Sequence, residues 1–272
     1  MMSQNNVTIF LDGIGVAGPG LDGWTNSMTQ LQASASPEKL PVKIPVSDFL
    51  PAAERRRVGN QVKLALAVGY EAVVHSAQNA ALLPNIFSAS QGDGENCNAI
   101  CQVLASPNRE ISPTRFHNSV HNASAGYWGI AMKCMAASTS LCAFDGSFAV
   151  GLLEACVQAL SLQSATLLVA SDTPYPEPLH SARPLINSFA VGLVVNPVRS
   201  SQSLAKLELS FSQQASSRLD LAHWEPMRLS CPAARCLPLL LRLANPKSDA
   251  STIRLEYLDQ CSLTIRLEKL SA

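Results

Sequence analysis

Residues 138–160 read STSLCAFDGSFAVGLLEACVQAL, and this stretch decides the fold class. The small and apolar residues Ser138 to Ala143 predict a buried strand, and the apolar face from Ser147 to Leu162 predicts a long helix. A strand, a tight turn and a helix in this order form an elbow, which presents a side chain at a helix N-terminus, where the dipole favours a thiolate or alkoxide. The candidate nucleophiles are Cys142, which we expect to lie within the strand, and Ser147. Ser147 is also the predicted cap of the helix, with Asp145 as the alternative cap.

Strands and helices alternate on both sides of this elbow. Val7 to Leu11 predicts a buried strand that ends in a turn at Asp12–Gly13. Residues 34–53 contain Pro37, Pro41, Pro45 and Pro51 and predict an irregular connection, and residues 111–122 predict a loop or a helix start. Further helices are predicted at 24–33, 54–81, 96–104, 123–132 and 231–243, further strands at 86–90, 165–170, 189–195 and 206–211, and a closing antiparallel hairpin at 253–257 and 262–268. This alternation predicts an α/β fold in which helices cover a mixed sheet. We expect one domain over residues 1–272, with a smaller helix and hairpin portion from about 200 to 272 packed on it.

The composition is apolar and poor in charge. Hydrophobic residues make up 47% of the 272 residues and charged residues 15%, whereas about 25% is usual for charged residues in globular chains. A surface with so little charge is typical of a chain that covers part of itself with a partner. Twenty basic and twenty acidic residues balance, so nothing indicates nucleic acid. The run Arg55-Arg56-Arg57 predicts a solvated helical turn, with a contact to an acidic protein or a phosphate as the alternative.

The apolar runs and the cysteines point to a cellular location. No apolar run is long enough to span a membrane. Eight cysteines are too few for a disulfide scaffold in a chain of this length. We therefore expect a cytoplasmic, reduced protein.

Two weak motifs suggest bound groups that we do not expect to find. Gly13-x-Gly15-x-x-Gly18 matches the dinucleotide fingerprint, but Pro19-Gly20 follows, so no helix begins where a pyrophosphate would need one. The pairs His117 and His121, and Cys97 and Cys101, have the spacing of metal ligands on one helix face. No acidic neighbour is placed to orient the imidazoles, so loop capping and core packing explain these residues better. We predict no cofactor and no metal.

Several short motifs together resemble the N-terminal half of a β-ketoacyl synthase, a member of the thiolase superfamily. The matching residues are VTIFLDGIGVAGPG at 7–20, Arg55-Arg56 before an alanine-rich helix, FHNS at 116–119, NASAG at 122–126, and the elbow with its helix. The resemblance covers roughly residues 7–200. It implies a thiolase-like layered mixed sheet, corresponding to that half of a ketosynthase with a C-terminal helix and hairpin added.

The chain departs from this family where the chemistry would lie. Counted back from the helix, the position of the condensing-enzyme cysteine falls on Gly146, which has no side chain. Cys142 lies four residues too early. Condensing enzymes also use two histidines from a second half, one in a His-Gly-Thr-Gly-Thr-like motif, but only His180 and His223 follow the elbow here and neither has that context.

A ketosynthase scaffold without these groups resembles a chain-length factor. The sequence SDTPYP at 171–176 is similar to the short factors of bacterial aryl-polyene systems. This resemblance implies a subunit with no catalytic residue of its own, which forms a heterodimer with an active ketosynthase. It would place its elbow strand beside that of the partner, wall the acyl tunnel for (poly)ketide or polyene chains, and meet the acyl carrier protein only through the complex.

On this interpretation the elbow is Asp145, Gly146 and Ser147, and a set of nearby residues would line the tunnel or the interface. Among them Phe116, Phe144 and Phe148 would set the tunnel depth by their volume. The full set is Phe116, Asn118, Ser138, Ser140, Leu141, Cys142, Phe144 and Phe148. Two alternatives stay open. One is an independent acyltransferase or hydrolase using Ser147 or Cys142 with His117 or His121, and the other is a module that binds an acyl chain or an acyl carrier protein.

Overall fold

A computed structural model describes residues 7–33, 40–46, 48–246 and 250–270. Within these residues one mixed nine-stranded sheet forms, with the order β4-β3-β5-β6-β1-β7-β9-β8 and β2 beside β1. The strands are β1 Val7–Gly18, β2 Leu21–Asp22, β3 Asn85–Ser88, β4 Ser138–Leu141, β5 Thr166–Asp172, β6 Phe189–Asn196, β7 Ala205–Ser212, β8 Ala250–Leu258 and β9 Cys261–Lys269. The strand β3 pairs in parallel with β4 and β5, and the other pairs along the sheet are antiparallel. The predicted mixed sheet and closing hairpin are confirmed.

Helices cover both faces of the sheet, as predicted. They are α1 Trp24–Gln32, α2 Ala52–Arg55, α3 Asn60–His75, α4 Gly94–Ala105, α5 Pro113–His117, α6 Ala123–Met132, α7 Ser147–Leu162, α8 Leu179–Ala182, α9 Glu225–Ser230 and α10 Leu237–Ala244. One apolar core holds the inner faces of α3 and α6, and a second core holds those of α1, α7 and α10. The helix α7 begins at the turn after the edge strand β4. From there it packs on β3, β5 and β6.

The glycines of the supposed dinucleotide fingerprint have a packing role. A Cβ atom on Gly13 would lie 2.0 Å from the Ala72 carbonyl oxygen, and one on Gly15 would lie 2.1 Å from that of Val68. Glycine at these positions lets α3 approach the sheet more closely than any side chain would allow. The predicted turn at Asp12–Gly13 is wrong, because β1 passes this point through a bulge and continues to Gly18. The bulged Asp12 is buried and accepts hydrogen bonds from Asn196, Ser200 and Ser203.

Other predicted boundaries also change. The helix predicted at 54–81 is divided, because the chain leaves helical geometry between Arg56 and Gly59 and α3 ends at His75. The helix predicted at 231–243 begins as a 3-10 turn, Pro232–Cys236, and continues as α10. Part of the irregular connection, residues 34–39 with Pro37 and residue 47, lies outside the described residues.

The C-terminal portion continues the main sheet. The strand β7 pairs with β1, β9 pairs with β7, and β8 forms the far edge. The predicted strand at 138–143 is the opposite edge, β4, and it is shorter and more exposed than predicted. Although they lie at opposite ends of the strand order, the C-terminal end of β8 and the turn after β4 are in contact.

Candidate functional site

The turn between β4 and α7 places Phe144 at its strained position. After Leu141 the chain forms a 3-10 turn, Phe144–Gly146, that leads directly into α7. Phe144 has φ of +50°, a left-handed conformation that non-glycine residues rarely adopt. In a nucleophile elbow the strained residue is the one whose side chain is presented. Here that side chain is a phenyl ring, 61% exposed.

Ser147 stabilises the turn from inside and does not cap α7. Its hydroxyl donates to the Phe144 carbonyl oxygen at 2.7 Å and accepts the Ala143 N–H at 3.0 Å. The residue is 1% exposed, and Gly146 takes the N-cap position without a side-chain hydrogen bond. The predicted Ser147 and Asp145 caps are therefore wrong. Because the Ser147 hydroxyl is buried and its proton is held by the Phe144 carbonyl oxygen, Ser147 is not placed to act as a nucleophile.

Gly146 lies where no side chain can fit. A Cβ atom built on it would be 2.0 Å from the Tyr257 carbonyl oxygen, at the end of β8. The backbone of the C-terminal hairpin therefore occupies the space that a side chain at this position would need. Gly146 has φ of −81°, so the glycine is required by this close approach and not by its own conformation.

Three predicted candidates lie in unexpected surroundings. Cys142 follows the end of β4 and is exposed, whereas we predicted it within a buried strand. Its thiol is 3.3 Å from the Ser90 carbonyl oxygen, its hydrogen-bond acceptor. Phe148 is fully buried in the core beneath α7, so it offers no surface to a partner. Asn118 is also buried, donating to the Arg57 carbonyl oxygen and accepting from the Tyr127 hydroxyl, both at 2.8 Å.

The remaining candidates lie at the surface. Phe116 is strongly exposed and lines an apolar groove of about 430 Å³ on α5 and α6, together with Val120 and Ile130. The carbonyl oxygens of Ala137, just before β4, and of Leu141, at its end, accept hydrogen bonds from the Asn85 and Ala89 N–H groups on the β3 side. Because successive residues of a strand alternate in direction, the backbone N–H and C=O groups of Ser138 and Ser140 point towards the free edge.

A chain of charged side chains joins the elbow to two distant segments. The Arg183 guanidinium lies 3.6 Å from the centroid of the Phe144 ring and donates to Asp145 Oδ1 at 2.6 Å. The other Asp145 oxygen is 3.5 Å from Nη2 of Arg235, whose guanidinium also contacts the Glu256 carboxylate of β8. Burial lowers the pKa of Arg235, and the Asp145 carboxylate opposes that shift.

Four residues of this site were not predicted from the sequence: Arg183, Arg235, Glu256 and Tyr257. The one available signal was Arg235, which with Arg242 is one of two charged residues in a largely apolar predicted helix. Beside the elbow and the hairpin tip lies an open cleft of about 620 Å³, lined by Phe144, Tyr257 and other residues of both segments.

The paired histidines and cysteines are not assembled into a metal site. The His117 ring meets the Tyr127 ring edge-on, and His121 Nε2 is 3.4 Å from the Ala89 carbonyl oxygen. In the part of the chain that the structure describes, no group of three or more His, Cys, Asp or Glu side chains is placed to hold a metal ion. Within the same residues, no helix combines the length and the apolar character needed to cross a membrane.

Asp172 connects β5 to the segment that carries Arg235. Its carboxylate accepts from the Ser90 N–H at 2.8 Å, the Ser90 hydroxyl at 2.7 Å and the Ala233 N–H at 2.8 Å. Burial raises its pKa to about 6, although these donors act in the opposite direction.

The raised pKa of Asp172 predicts a pH-dependent stability. The folded state holds this proton more tightly than the unfolded chain, in which Asp titrates near pH 4. The carboxyl should therefore lower the free energy of unfolding by about 3 kcal/mol as the pH rises from about 4 to 7. In urea unfolding followed by tryptophan fluorescence across this range, the free energy of unfolding of the wild type should fall by this amount relative to that of Asp172→Asn. Asp220→Asn, an exposed control, should follow the wild type. Parallel pH curves for the wild type and Asp172→Asn would contradict it.

Comparison with solved structures shows the same fold in ketosynthase assemblies. A chain of the ketosynthase in complex with its chain length factor from Xenorhabdus doucetiae has a TM-score of 0.73 at 22% identity, covering 95% of this chain and 98% of that chain. The ishigamide ketosynthase/chain length factor gives 0.74 at 12% identity, covering 97% and 100%. A type II polyketide synthase acyl-carrier protein in complex with its ketosynthase bound to the hexaketide gives 0.74 at 9%, also covering 97% and 100%. The predicted thiolase-like fold is confirmed.

Sequence comparison gives the family. No curated protein matches the chain. The model of the beta-ketoacyl synthase N-terminal domain matches residues 24–242, which include α1, the elbow and most of α10. The chain therefore belongs to the β-ketoacyl synthase N-terminal domain family.

Proposed function

We propose that this chain is a non-catalytic, chain-length-factor-like subunit that pairs with an active β-ketoacyl synthase and helps to form the tunnel for the growing acyl chain. The observation that carries the proposal is the elbow itself. Phe144 occupies its strained position, and the Tyr257 carbonyl fills the space that a side chain on Gly146 would need. A thioester needs a thiolate at such a turn, so condensation would depend on the cysteine and histidines of a partner.

The free edge of β4 supports pairing with another chain. Exposed backbone groups on an edge strand are a template for a further strand. Ser138 and Ser140 direct their N–H and C=O groups towards this edge, and Met135, just before β4, is 94% exposed. In the proposed heterodimer the elbow strand of the ketosynthase would add to this edge. An acyl carrier protein would then be engaged through the complex.

Exposed apolar side chains at the elbow and on α5 and α6 support a role in enclosing an acyl chain. Phe144 and Phe116 are both strongly exposed, and the groove beside Phe116 is lined largely by apolar side chains. Exposed aromatic side chains of this kind are typical of surfaces that are covered in an assembly. We place this assembly in the cytoplasm, a compartment that suits eight free cysteines.

Co-expression with ketosynthases of the same genome tests the proposal. The chain should co-purify with one of them in a ratio of one to one, measured by size-exclusion chromatography with light scattering, and alone it should show no condensing activity. The proposal would be contradicted if the chain remained a stable monomer and bound none of the candidate ketosynthases.

The two alternatives have distinct outcomes in the same experiments. Acylation of the isolated chain by an acyl thioester, located by intact mass and peptide mapping, would favour an independent acyltransferase. Cys142 is the exposed candidate for that label, because the Ser147 hydroxyl is buried and bonded within the turn. Tight binding of an acyl carrier protein by the isolated chain would favour a simple binding module.

A further inference from the structure

Arg183 reaches the elbow from a segment that is distant in sequence and holds it at two points. It follows α8, in the connection between β5 and β6. Its guanidinium lies 3.6 Å from the centre of the Phe144 ring, and its Nη2 is 2.6 Å from Asp145 Oδ1. One side chain thus contacts two consecutive residues of the strained turn.

The geometry suits arginine in particular. A planar guanidinium can stack on an aromatic face while its edge donates to a carboxylate, which a lysine ammonium cannot do in the same way. The Arg183 side chain is mostly covered, whereas the Phe144 ring remains largely exposed. Arg183 therefore restrains a ring that the rest of the chain leaves free on its outer side.

The carboxylate between the two arginines has a fixed position. Asp145 pairs with Arg183 through one oxygen and lies 3.5 Å from Arg235 through the other, and the Arg235 side chain is 6% exposed. Because Arg235 also contacts Glu256 on β8, Asp145 is tied to the C-terminal hairpin. Arg183 is thus oriented by a carboxylate that is itself anchored, and it transmits that orientation to the Phe144 ring.

We infer that Arg183 is a positioning residue that sets the orientation of the Phe144 ring and thereby the length of acyl chain that the assembled complex produces. This inference rests on the proposed function, in which Phe144 faces the growing chain. Arg183 does not touch a reacting atom and acts only through the ring. A freed ring would give a less sharply defined tunnel end, so the products should become more varied in length.

The test compares Arg183→Met and Arg183→Lys with Phe144→Ala in the co-purified ketosynthase complex. Arg183→Lys keeps a charge that can pair with Asp145 but lacks the planar stack. Arg242→Met is the matched control. Arg242 forms a surface ion pair with Asp220, with 2.7 Å between the nitrogen and the oxygen, and neither residue contacts the elbow. Product lengths are measured by mass spectrometry of the released chains. Both Arg183 variants should raise the fraction of products outside the main wild-type length by about two- to five-fold. This is the factor that corresponds to the loss of one exposed cation–π contact.

A second measurement follows the ring directly in the isolated chain. The eight phenylalanines are replaced by 4-fluorophenylalanine, and the Phe144 signal is assigned with Phe144→Leu in a fluorine NMR spectrum. That signal should move in Arg183→Met and Arg183→Lys and stay in place in Arg242→Met. An unmoved Phe144 signal in Arg183→Met would overturn the inference, whatever the products.

The outcomes separate this inference from the proposed function. If Phe144→Ala changes the product lengths and the Arg183 variants do not, the inference fails and the proposed function stands. Unchanged products in all variants of an intact complex mean that the elbow does not set chain length, and the inference fails with that part of the proposal. A chain that forms no complex overturns the proposed function, and the inference loses its basis with it.

Discussion

Gly146→Cys should leave the chain without condensing activity and should lower its free energy of unfolding by about 3 kcal/mol. The new Cβ atom would lie 2.0 Å from the Tyr257 carbonyl oxygen, which belongs to the backbone of β8 and cannot rotate away. Either the elbow or the end of the hairpin must then move. The introduced thiol would also lie two residues after Phe144, the strained residue whose side chain is presented, so it should not reach an acyl thioester. The measurements are urea unfolding and malonyl-dependent condensation, with and without the ketosynthase partner.

Gly126→Ala is the matched control for this substitution. Gly126 is an exposed residue of α6, and a Cβ atom built on it meets nothing within 4 Å. Alanine there should raise the stability by up to about 1 kcal/mol, since glycine is unfavourable within a helix. A Gly146→Cys variant that is as stable as the wild type and becomes acylated at the new thiol would show that the position is open, and the proposed function would fail.

Ser140→Pro should strongly weaken association with the ketosynthase while the chain itself stays folded. Proline removes the N–H of Ser140, which points to the free edge and makes no bond to β3, and edge strands tolerate proline in this orientation. A partner strand would lose a hydrogen-bond donor and meet the proline ring, so affinity should fall by about 100-fold or more. Co-purification yield and the dissociation constant from interferometry check this expectation.

Two further substitutions separate lost pairing from lost folding. Ser140→Ala keeps the backbone N–H and should bind as the wild type does. Leu141 faces β3, where its carbonyl oxygen accepts from Ala89, so Leu141→Pro should destabilise the chain itself. Normal assembly of a folded Ser140→Pro variant would exclude β4 as the pairing edge.

The sequence analysis predicted the elements better than their contacts. The helix α7 was predicted with its observed bounds, and strands β3 to β9 were predicted to within about three residues, because the pattern of apolar residues is a local property. The strand β1 was predicted only as far as Leu11 but continues to Gly18, and β2 was not predicted. The turn at Asp12–Gly13 failed because a bulge and a turn have the same sequence signals. The bulge is recognised only when Asn196, Ser200 and Ser203 are seen around Asp12.

The elbow illustrates the same limit at the candidate site. Counting back from the helix placed the position of the condensing-enzyme cysteine at Gly146. In the structure, the strained residue whose side chain is presented is Phe144, two residues earlier. A left-handed conformation at a phenylalanine has no sequence signal, since that residue type rarely adopts it. Ser147 was predicted as a helix cap for its residue type, but its hydroxyl is bonded within the turn.

The sequence by itself determined the α/β class, the strand–turn–helix elbow and the absence of a cysteine from residues 143–147, because each depends on residue type and short-range spacing. Only the tertiary structure decided that Tyr257 closes the space beside Gly146, that Arg183 holds Phe144, and that Ser138 and Ser140 face an open edge. These features join segments that are far apart in the chain, such as the end of β8 and the turn after β4, which are in contact although their strands lie at opposite ends of the strand order. Contacts between distant segments follow from packing, and no local pattern encodes them.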